Sequence, residues 1–246
     1  MKLKKNKLIV FLVLFSFMVG AMIFINYTPK DVSALDEAAP LGYVPDAWDY
    51  PDNDKQYNHT LGTGVKVAVI DTGIDWQHPD FFRPDFSRVY DVLEDGAQLF
   101  IDFDGDGSFT AGEGGIINNT YIERNLTNIA SREVEHGIDY GYNDSNGNDS
   151  YDFGETICYY LDENEDGVVN AGDKAVALGE SKIEIIRDYK AKKVYMNGVN
   201  LTNPIINKAN DTEGHGTHVA GIIAGGWPGI RNFTGVAPNC TLLIYK

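Results

Sequence analysis

The chain has 246 residues, with 20 lysines and arginines against 36 aspartates and glutamates, and a formal net charge of −16 at pH 7. Such an acidic surface argues against nucleic-acid binding and suits the binding of cations. Its two cysteines, Cys158 and Cys240, permit at most one internal disulfide, and the sequence leaves open whether they pair.

The amino terminus carries a membrane-targeting segment. Four of the first seven residues are lysines, and only Ser16 and Gly20 interrupt the strongly apolar residues 8–25. A cleaved signal peptide and a retained membrane anchor both fit this length, and the small residues around Ala34 favour a signal peptide. We therefore expect residues 1–34 to direct export, and membrane contact to occur only through this segment.

An arm and a buried strand follow. Residues 35–63 are rich in Pro, Gly, Asp and Asn, which predicts an ordered arm and not a domain. The apolar run from Val65 to Ile70 then ends abruptly on Asp71. A near-continuous β-branched run is typical of a parallel strand covered on both faces. Asp71 is thus predicted at the carboxyl end of the strand, where open α/β sheets bind their ligands.

Two segments further along match the EF-hand pattern for a calcium-binding loop. The pattern places oxygen ligands at positions 1, 3, 5, 7, 9 and 12 and glycine at position 6, so that a tight turn points the ligands at one hard cation. The predicted ligands in the first loop are Asp102, Asp104, Asp106, Ser108, Thr110 and Glu113. In the second loop, which is similar to dockerin loops, they are Asp162, Asn164, Asp166, the carbonyl of Val168, Asn170 and Asp173.

A third segment, Asp144 to Glu155, fits the pattern less well, because Asp149 stands where glycine is expected. An acidic turn without an ion is the alternative for all three segments, and for this one the two interpretations are evenly supported. The flanks Leu99–Ile101 and Thr156–Tyr160 have the composition of strands. Residues 182–187 and 193–202 also predict strands, the second with a hairpin turn at Asn197-Gly198. We expect a calcium-binding insertion at about residues 95–205 that is mainly β-strand and loop.

The segment from Asp211 to Gly225 supplies a base. Gly214 and Gly216 allow close backbone approach around His215, and Thr217 to Ala224 predicts a helix. Taken singly, Asp71 fits a carboxylate that caps a turn, and His215 with His218 fits a pair of metal ligands. The zinc alternative lacks the His-Glu-x-x-His arrangement.

Two motifs together, Val69-Ile-Asp-Thr-Gly-Ile74 with His78-Pro-Asp80, and His215-Gly-Thr-His-Val-Ala-Gly221, resemble those of the subtilisin-like serine proteases. The resemblance implies an α/β fold with a parallel sheet, protein or peptide substrates, and an Asp-His-Ser triad. It implies that Asp71 is the orienting carboxylate and His215 the general base. Asp80 resembles a calcium-ligating aspartate of that family, with helix capping as the equal alternative.

The resemblance covers roughly residues 43–246, and we expect these residues to form only part of the family's parallel sheet. The last serine in the sequence is Ser181, so no serine follows His215. We therefore expect this chain alone to be inactive as a peptidase. The favoured function is an exported, calcium-stabilised subtilisin-like endopeptidase. The alternative is a non-catalytic, calcium-binding surface protein that retains the protease motifs.

Overall fold

The structure is a computed structural model that describes residues 61–96, 98–110, 112–113, 115–117, 134–148 and 151–246. The predicted leader, residues 1–34, and nearly all of the predicted arm, residues 35–63, lie outside the described residues. Within the described residues, no helix has the length and apolar character needed to cross a membrane.

A four-stranded sheet holds the first and the last strands of the described chain. Its strands are β1 (Lys66–Ile70), β10 (Thr241–Tyr245), β8 (Ile183–Asp188) and β9 (Lys193–Met196), in the order β1-β10-β8-β9. The β1, β10 and β8 strands are parallel, and β9 adds an antiparallel edge. Parallel pairing agrees with the α/β class expected from the sequence.

Only one face of this sheet is covered within the part of the chain that the structure describes. The helix α1 (His215–Ala224) packs with the residues that point to that face, among them Val69, Leu242 and Ile186. On the opposite face, Ile70 is 82% exposed and Met196 is 49% exposed. The expectation that β1 is covered on both faces is therefore wrong for the described residues, because β1 is an edge strand whose side chains alternate between core and solvent.

A second sheet of six strands is antiparallel throughout. It contains β2 (Phe82–Asp95), β3 (Gln98–Asp102), β4 (Gly115–Ile117), β5 (Tyr140–Tyr142), β6 (Ile157–Leu161) and β7 (Lys174–Ser181), in the order β3-β2-β7-β6-β5-β4. The sheet curls so that β5 approaches β3, which lies four places away in the strand order. Gly141 on β5 lies against Ile101 on β3, and a Cβ atom at residue 141 would come within 2.2 Å of the Ile101 Cδ1. The strands predicted at Leu99–Ile101 and Thr156–Tyr160 appear as β3 and β6.

Two strands predicted for the insertion lie in the four-stranded sheet. Residues 182–187 form a strand, but as β8 it pairs with β10 in the parallel sheet. The strand predicted for residues 193–202 ends at Met196, and residues 197–202 form turns. The hairpin that joins β8 to β9 turns at residues 189–192 and not at Asn197-Gly198. Sequence composition identified β-structure here but not the partner strand.

A buried lysine marks the point where the two sheets meet. Lys182 is the single residue between β7 and β8, and it is fully buried. Its Nζ donates to three backbone carbonyls, those of Asp80 at 2.9 Å, Ala224 at 2.8 Å and Gly226 at 2.6 Å. Burial lowers the pKa of Lys182 to about 7. The side chain therefore ties the junction of the sheets to the end of α1.

The carboxylate of Asp80 is buried in the same region. Asp80 lies in the 3₁₀ turn Pro79–Phe81, which His78 caps through its own ring nitrogen. Its Oδ1 accepts from the Tyr140 hydroxyl at 2.9 Å, and the Nε of Arg231 lies 3.3 Å away as an ion pair. The guanidinium also stacks on the Tyr140 ring, 4.0 Å from its centroid. Asp80 is therefore not the cap of its turn, and an arginine is the cation that its carboxylate meets.

The two cysteines are free and buried in separate parts of the core. Cys240 packs with the four-stranded sheet and Cys158 packs inside the six-stranded sheet. The open question of a disulfide is answered in the negative for this structure.

Replacing Arg231 with alanine is expected to destabilise the fold strongly, because it removes the main counter-charge of the buried Asp80. Burial alone would raise the pKa of Asp80, but Arg231 and the other cations around it hold that pKa below its ordinary value. Breaking a buried pair from one side costs about 3–5 kcal/mol. Thermal and urea unfolding at pH 7 measure the loss. Arg88→Ala is the matched control, because its pair with Asp85 is exposed and contributes little.

The pH dependence of the free energy of unfolding provides a second test of the Arg231→Ala variant. In the unmodified protein the lowered pKa of Asp80 stabilises the fold above pH 4, and this contribution is lost as the pH falls through the folded value. In Arg231→Ala, Asp80 becomes a buried acid with a raised pKa, so the variant's deficit should shrink at pH 4. An equal deficit at pH 4 and pH 7 would show that Asp80 carries no charge in the fold.

A second stability prediction concerns two glycines of α1. A Cβ atom at Gly216 would lie 2.2 Å from the Gly73 carbonyl oxygen, which belongs to backbone that cannot yield cheaply. A Cβ atom at Gly221, in the same helix, would meet nothing closer than a Phe233 ring carbon at 3.7 Å. Gly216→Ala should therefore cost about 1–3 kcal/mol through overpacking, whereas Gly221→Ala should gain up to about 1 kcal/mol from helix propensity. Equal Tm values for the two variants would contradict the close approach of α1 to the end of β1.

Candidate active site

Asp71 is the first residue beyond β1 and is held by the sheet. Its backbone N–H donates to the Tyr245 carbonyl oxygen at 3.0 Å, which extends the pairing of β1 with β10 by one step. Its Oδ1 accepts the Thr72 backbone N–H at 2.7 Å. The side chain is 16% exposed, so the carboxylate lies at the surface edge of the sheet but faces protein on most sides. The strand end and the turn thus fix where this carboxylate points.

His215 is the first residue of α1. The residue before it, Gly214, adopts the left-handed conformation with φ 79°, which turns the chain into the helix. The Nδ1 of His215 lies 2.8 Å from the Oδ1 of Asp71, and the His215 side chain is 68% exposed. The structure therefore brings together the two residues that the sequence singled out as acid and base.

The pairing determines where the proton of the neutral imidazole resides. An ionised carboxylate can only accept hydrogen bonds, so the His215 Nδ1 carries the hydrogen of this contact. In the neutral ring, Nε2 is then the nitrogen with a free lone pair. The hydrogen bond and the negative charge of Asp71 raise the pKa of His215. The same hydrogen bond, followed by that from the Thr72 N–H, lowers the pKa of Asp71.

Asp211, which has no role in either sequence motif, joins the two halves of the site. One oxygen of its carboxylate accepts the Thr72 hydroxyl, and the other accepts both the backbone N–H and the hydroxyl of Thr217. Gly214, the residue at the helix N-cap, has no side chain to cap α1. Asp211 supplies that acceptor from outside the helix. An acidic residue just before a predicted helix is the signal that points to such a role.

The first predicted calcium loop gathers its carboxylates. One oxygen from each of Asp102, Asp104 and Asp106 lies within 4.8 Å of the other two. The bend at Gly107 has φ 74°, as the sixth position of such a loop requires. Glu113 at position 12 accepts the backbone N–H groups of Phe103 and Thr110. The donor set is entirely oxygen, which fits a hard cation.

All three loops share one hydrogen-bond scaffold. The carboxylate at position 1 accepts the backbone N–H of position 5, and the carboxylate at position 12 accepts the backbone N–H of position 9. These contacts are made by Asp102 and Glu113, by Asp162 and Asp173, and by Asp144 and Glu155. The third segment therefore shares these two contacts with the other loops, and its sixth and seventh residues, Asp149 and Ser150, lie outside the described residues.

The second and third loops differ from the first in their amide groups. Asn170 donates to the Asp166 carboxylate at 2.8 Å and to the Val168 carbonyl at 3.3 Å, and Asn164 donates to Asn170. In the third loop, Asn146 and Asn148 donate to the Asp152 carboxylate. Amide hydrogens thus face oxygens that the pattern assigns as ligands.

Comparison with known proteins adds the family. The model of the subtilase family matches residues 62–246, a range that begins in the turn before β1 and includes Asp71 and His215. An intracellular serine protease from Paenibacillus polymyxa is 36% identical over 84 residues. The aligned region is 33% of this chain and 21% of that relative, so the chain matches about a fifth of the relative's length.

No solved structure matches the chain significantly. The family match spans most of the described residues, and the mixed sheets with few helices fit an α/β fold of this kind. The chain belongs to the subtilase family.

Proposed function

We propose that the protein is an exported subtilisin-like serine endopeptidase that hydrolyses peptide bonds in proteins or peptides. The observation that supports this most directly is the 2.8 Å contact between the His215 Nδ1 and the Asp71 Oδ1. It joins the carboxyl end of a parallel strand to the start of a helix and leaves the imidazole exposed to a substrate. The family match supports the same reaction class.

In the proposed mechanism, Asp71 and His215 act as one unit. Asp71 is kept ionised by the hydrogen bonds from His215 and from the Thr72 N–H, and it fixes the tautomer with hydrogen on Nδ1. The free Nε2 of His215 then takes the proton of a serine hydroxyl as that oxygen attacks the peptide carbonyl. The resulting imidazolium is stabilised by Asp71 and later protonates the leaving amine. No serine follows His215 in the sequence, so we assign no nucleophile.

The activity test uses protein expressed from its full reading frame and a fluorogenic peptide or casein as substrate. Loss of a triad carboxylate or base costs about 10⁴–10⁶ in turnover in enzymes of this mechanism, of which subtilisin is a measured example. We expect Asp71→Asn and His215→Ala to fall in that range. His218→Ala is the matched control, since His218 is exposed one turn along α1, and it should change turnover less than twofold.

The pH profile tests the role of the base. His215 must be neutral to accept a proton, and Asp71 raises its pKa. The ratio kcat/KM should therefore rise with pH through a midpoint above about 6.5, the ordinary value for histidine. Undiminished hydrolysis by His215→Ala would exclude this site. Absence of hydrolysis by the unmodified protein would favour a non-catalytic, calcium-binding surface protein.

We further propose that the acidic loops bind calcium. In the first loop, the carboxylates of Asp102, Asp104, Asp106 and Glu113, the Ser108 carbonyl and the Thr110 hydroxyl would hold the ion. In the second loop the corresponding groups are those of Asp162, Asn164, Asp166, Val168, Asn170 and Asp173. The clustered carboxylates of the first loop, and the positive φ at Gly107 in the first loop and at Gly167 in the second, support this assignment. A bound ion would neutralise carboxylates that repel one another and would stabilise the second sheet.

The calcium test is calorimetric titration of the chain and of Asp104→Asn/Asp106→Asn. Asparagine keeps an oxygen for the internal hydrogen bonds to the Asp106 and Ser108 N–H groups but removes two charges. We expect the double variant to lose one site and part of the calcium-dependent rise in Tm, with nearly unchanged stability in chelator. One ion at a hundred times its dissociation constant contributes about 2.7 kcal/mol.

Glu94→Gln/Asp95→Asn serves as the control for this experiment. Both residues are exposed at the β2–β3 hairpin, and the change in charge is the same. This variant should keep every site. Absence of any binding heat at millimolar calcium in the unmodified chain would show that the loops are ordinary acidic turns.

A further inference from the structure

The carboxylate of Asp211 has all its hydrogen-bonding capacity in use. Its Oδ1 accepts the Thr72 hydroxyl at 2.9 Å and the Glu213 backbone N–H at 3.1 Å. Its Oδ2 accepts the Thr217 backbone N–H at 2.9 Å and the Thr217 hydroxyl at 2.8 Å. Four donors on two oxygens match the four lone pairs of an ionised carboxylate. No protonated or amide form can make the same set of contacts.

The two threonine hydroxyls have their directions fixed by their other partners. The Thr72 Oγ1 accepts the Gly216 backbone N–H at 2.9 Å, and the Thr217 Oγ1 accepts the Asp75 backbone N–H at 2.8 Å. Each hydroxyl therefore uses its single hydrogen toward Asp211. The result is a closed network in which every donor faces an acceptor.

This network crosses the gap between the proposed catalytic residues. Thr72 and Asp75 follow Asp71 in the turn after β1, and Gly216 and Thr217 follow His215 in the first turn of α1. Asp211 bridges the two segments with one oxygen each. The relative position of Asp71 and His215 is thus set by contacts made through their sequence neighbours.

The charge of Asp211 is secure at working pH. Burial alone would raise the pKa of Asp211, but the donors from Thr217, Thr72 and Glu213 outweigh it and lower the pKa to about 2. The negative charges of Asp211 and Glu213 also contribute to the raised pKa of His215. Asp211 and Glu213 share this electrostatic effect, but the Glu213 side chain makes no bond to either threonine.

We propose that Asp211 is a positioning residue, which holds the Asp71 carboxylate and the His215 imidazole in register by bridging Thr72 and Thr217. The catalytic meaning of this register rests on the proposed function, but the geometric claim does not. A simple helix cap would need only the contact with the Thr217 N–H. A positioning residue needs both carboxylate oxygens.

The test measures His215 by NMR in the intact chain without substrate. The readouts are the low-field proton resonance of the Nδ1–H and the pH titration of the ring. In Asp211→Asn the amide nitrogen cannot accept a hydrogen bond, so the two donors that face it lose their acceptor and one side of the bridge is weakened. We expect loss or strong broadening of the Nδ1–H resonance and a downward shift of the His215 midpoint.

Two further variants separate positioning from other effects. Glu213→Gln removes a neighbouring charge but no bridge, so it should lower the His215 midpoint while keeping the Nδ1–H resonance. Thr72→Val cuts the bridge on the Asp71 side, together with the acceptor for the Gly216 N–H, and leaves the contact of Asp211 with the Thr217 N–H. The resonance should therefore weaken although the helix keeps its cap. Thr72→Val also decides the question if Asp211→Asn fails to fold.

A folded Asp211→Asn or Thr72→Val variant that retains the Nδ1–H resonance of the unmodified chain would overturn the proposal. In active protein, we expect Asp211→Asn to lower kcat about 10- to 100-fold with KM unchanged, because misplacement of a catalytic group acts on the chemical step. An inactive unmodified protein would contradict the proposed function but not the NMR result. The proposed function and the positioning role of Asp211 can therefore be refuted separately.

Discussion

The buried carboxylate of Asp80 is the constraint on which the arrangement of the two sheets depends. A charge removed from water needs partners, and this one takes them from elements far apart in the chain. Tyr140 reaches it from β5 and Arg231 from the segment after α1. The backbone carbonyl of the same residue accepts Lys182 from the β7–β8 junction. The 3₁₀ turn after β1, both sheets and the end of α1 therefore meet at a single residue.

The features that the sequence predicts correctly have a local structural cause. The strand before Asp71, the helix that begins near His215 and the strands before the first and second loops follow from hydrophobic pattern and turn residues within short windows. The pairing of Asp71 with His215 was reachable only because two motifs together resembled a known family. The loops predicted to bind calcium fit their pattern for a local reason too, since twelve consecutive residues contain both the turn and the oxygens.

The remainder depends on contacts between distant residues. Nothing in the composition of residues 182–187 says that they pair with β10, which lies more than fifty residues further along. The environment of Asp80 was missed for the same reason, because its cation comes from Arg231 and its hydroxyl donor from Tyr140. Asp211 was visible as an acid ahead of a helix, but its bridge to Thr72 spans 139 positions in the sequence. Local pattern identifies which residues are polar and where they lie along an element, but not which partner they meet.

The pairing of Phe82 with Ser181 has a consequence for how the six-stranded sheet is attached to the rest of the fold. These residues are the first of β2 and the last of β7, and beside them the Lys182 N–H donates to the Phe81 carbonyl at 2.7 Å. The chain thus enters the six-stranded sheet at Phe82 and leaves it at Ser181, and these two residues form a narrow neck because they pair with each other like the two ends of a hairpin. Since a loop whose ends already touch does not push its attachment points apart, residues can be gained or lost beyond this neck without moving β1 relative to β8. The four-stranded sheet, with Asp71 and His215, can therefore keep one geometry while the six-stranded sheet varies in length, and a separation of 144 positions between the two residues imposes no separation in space.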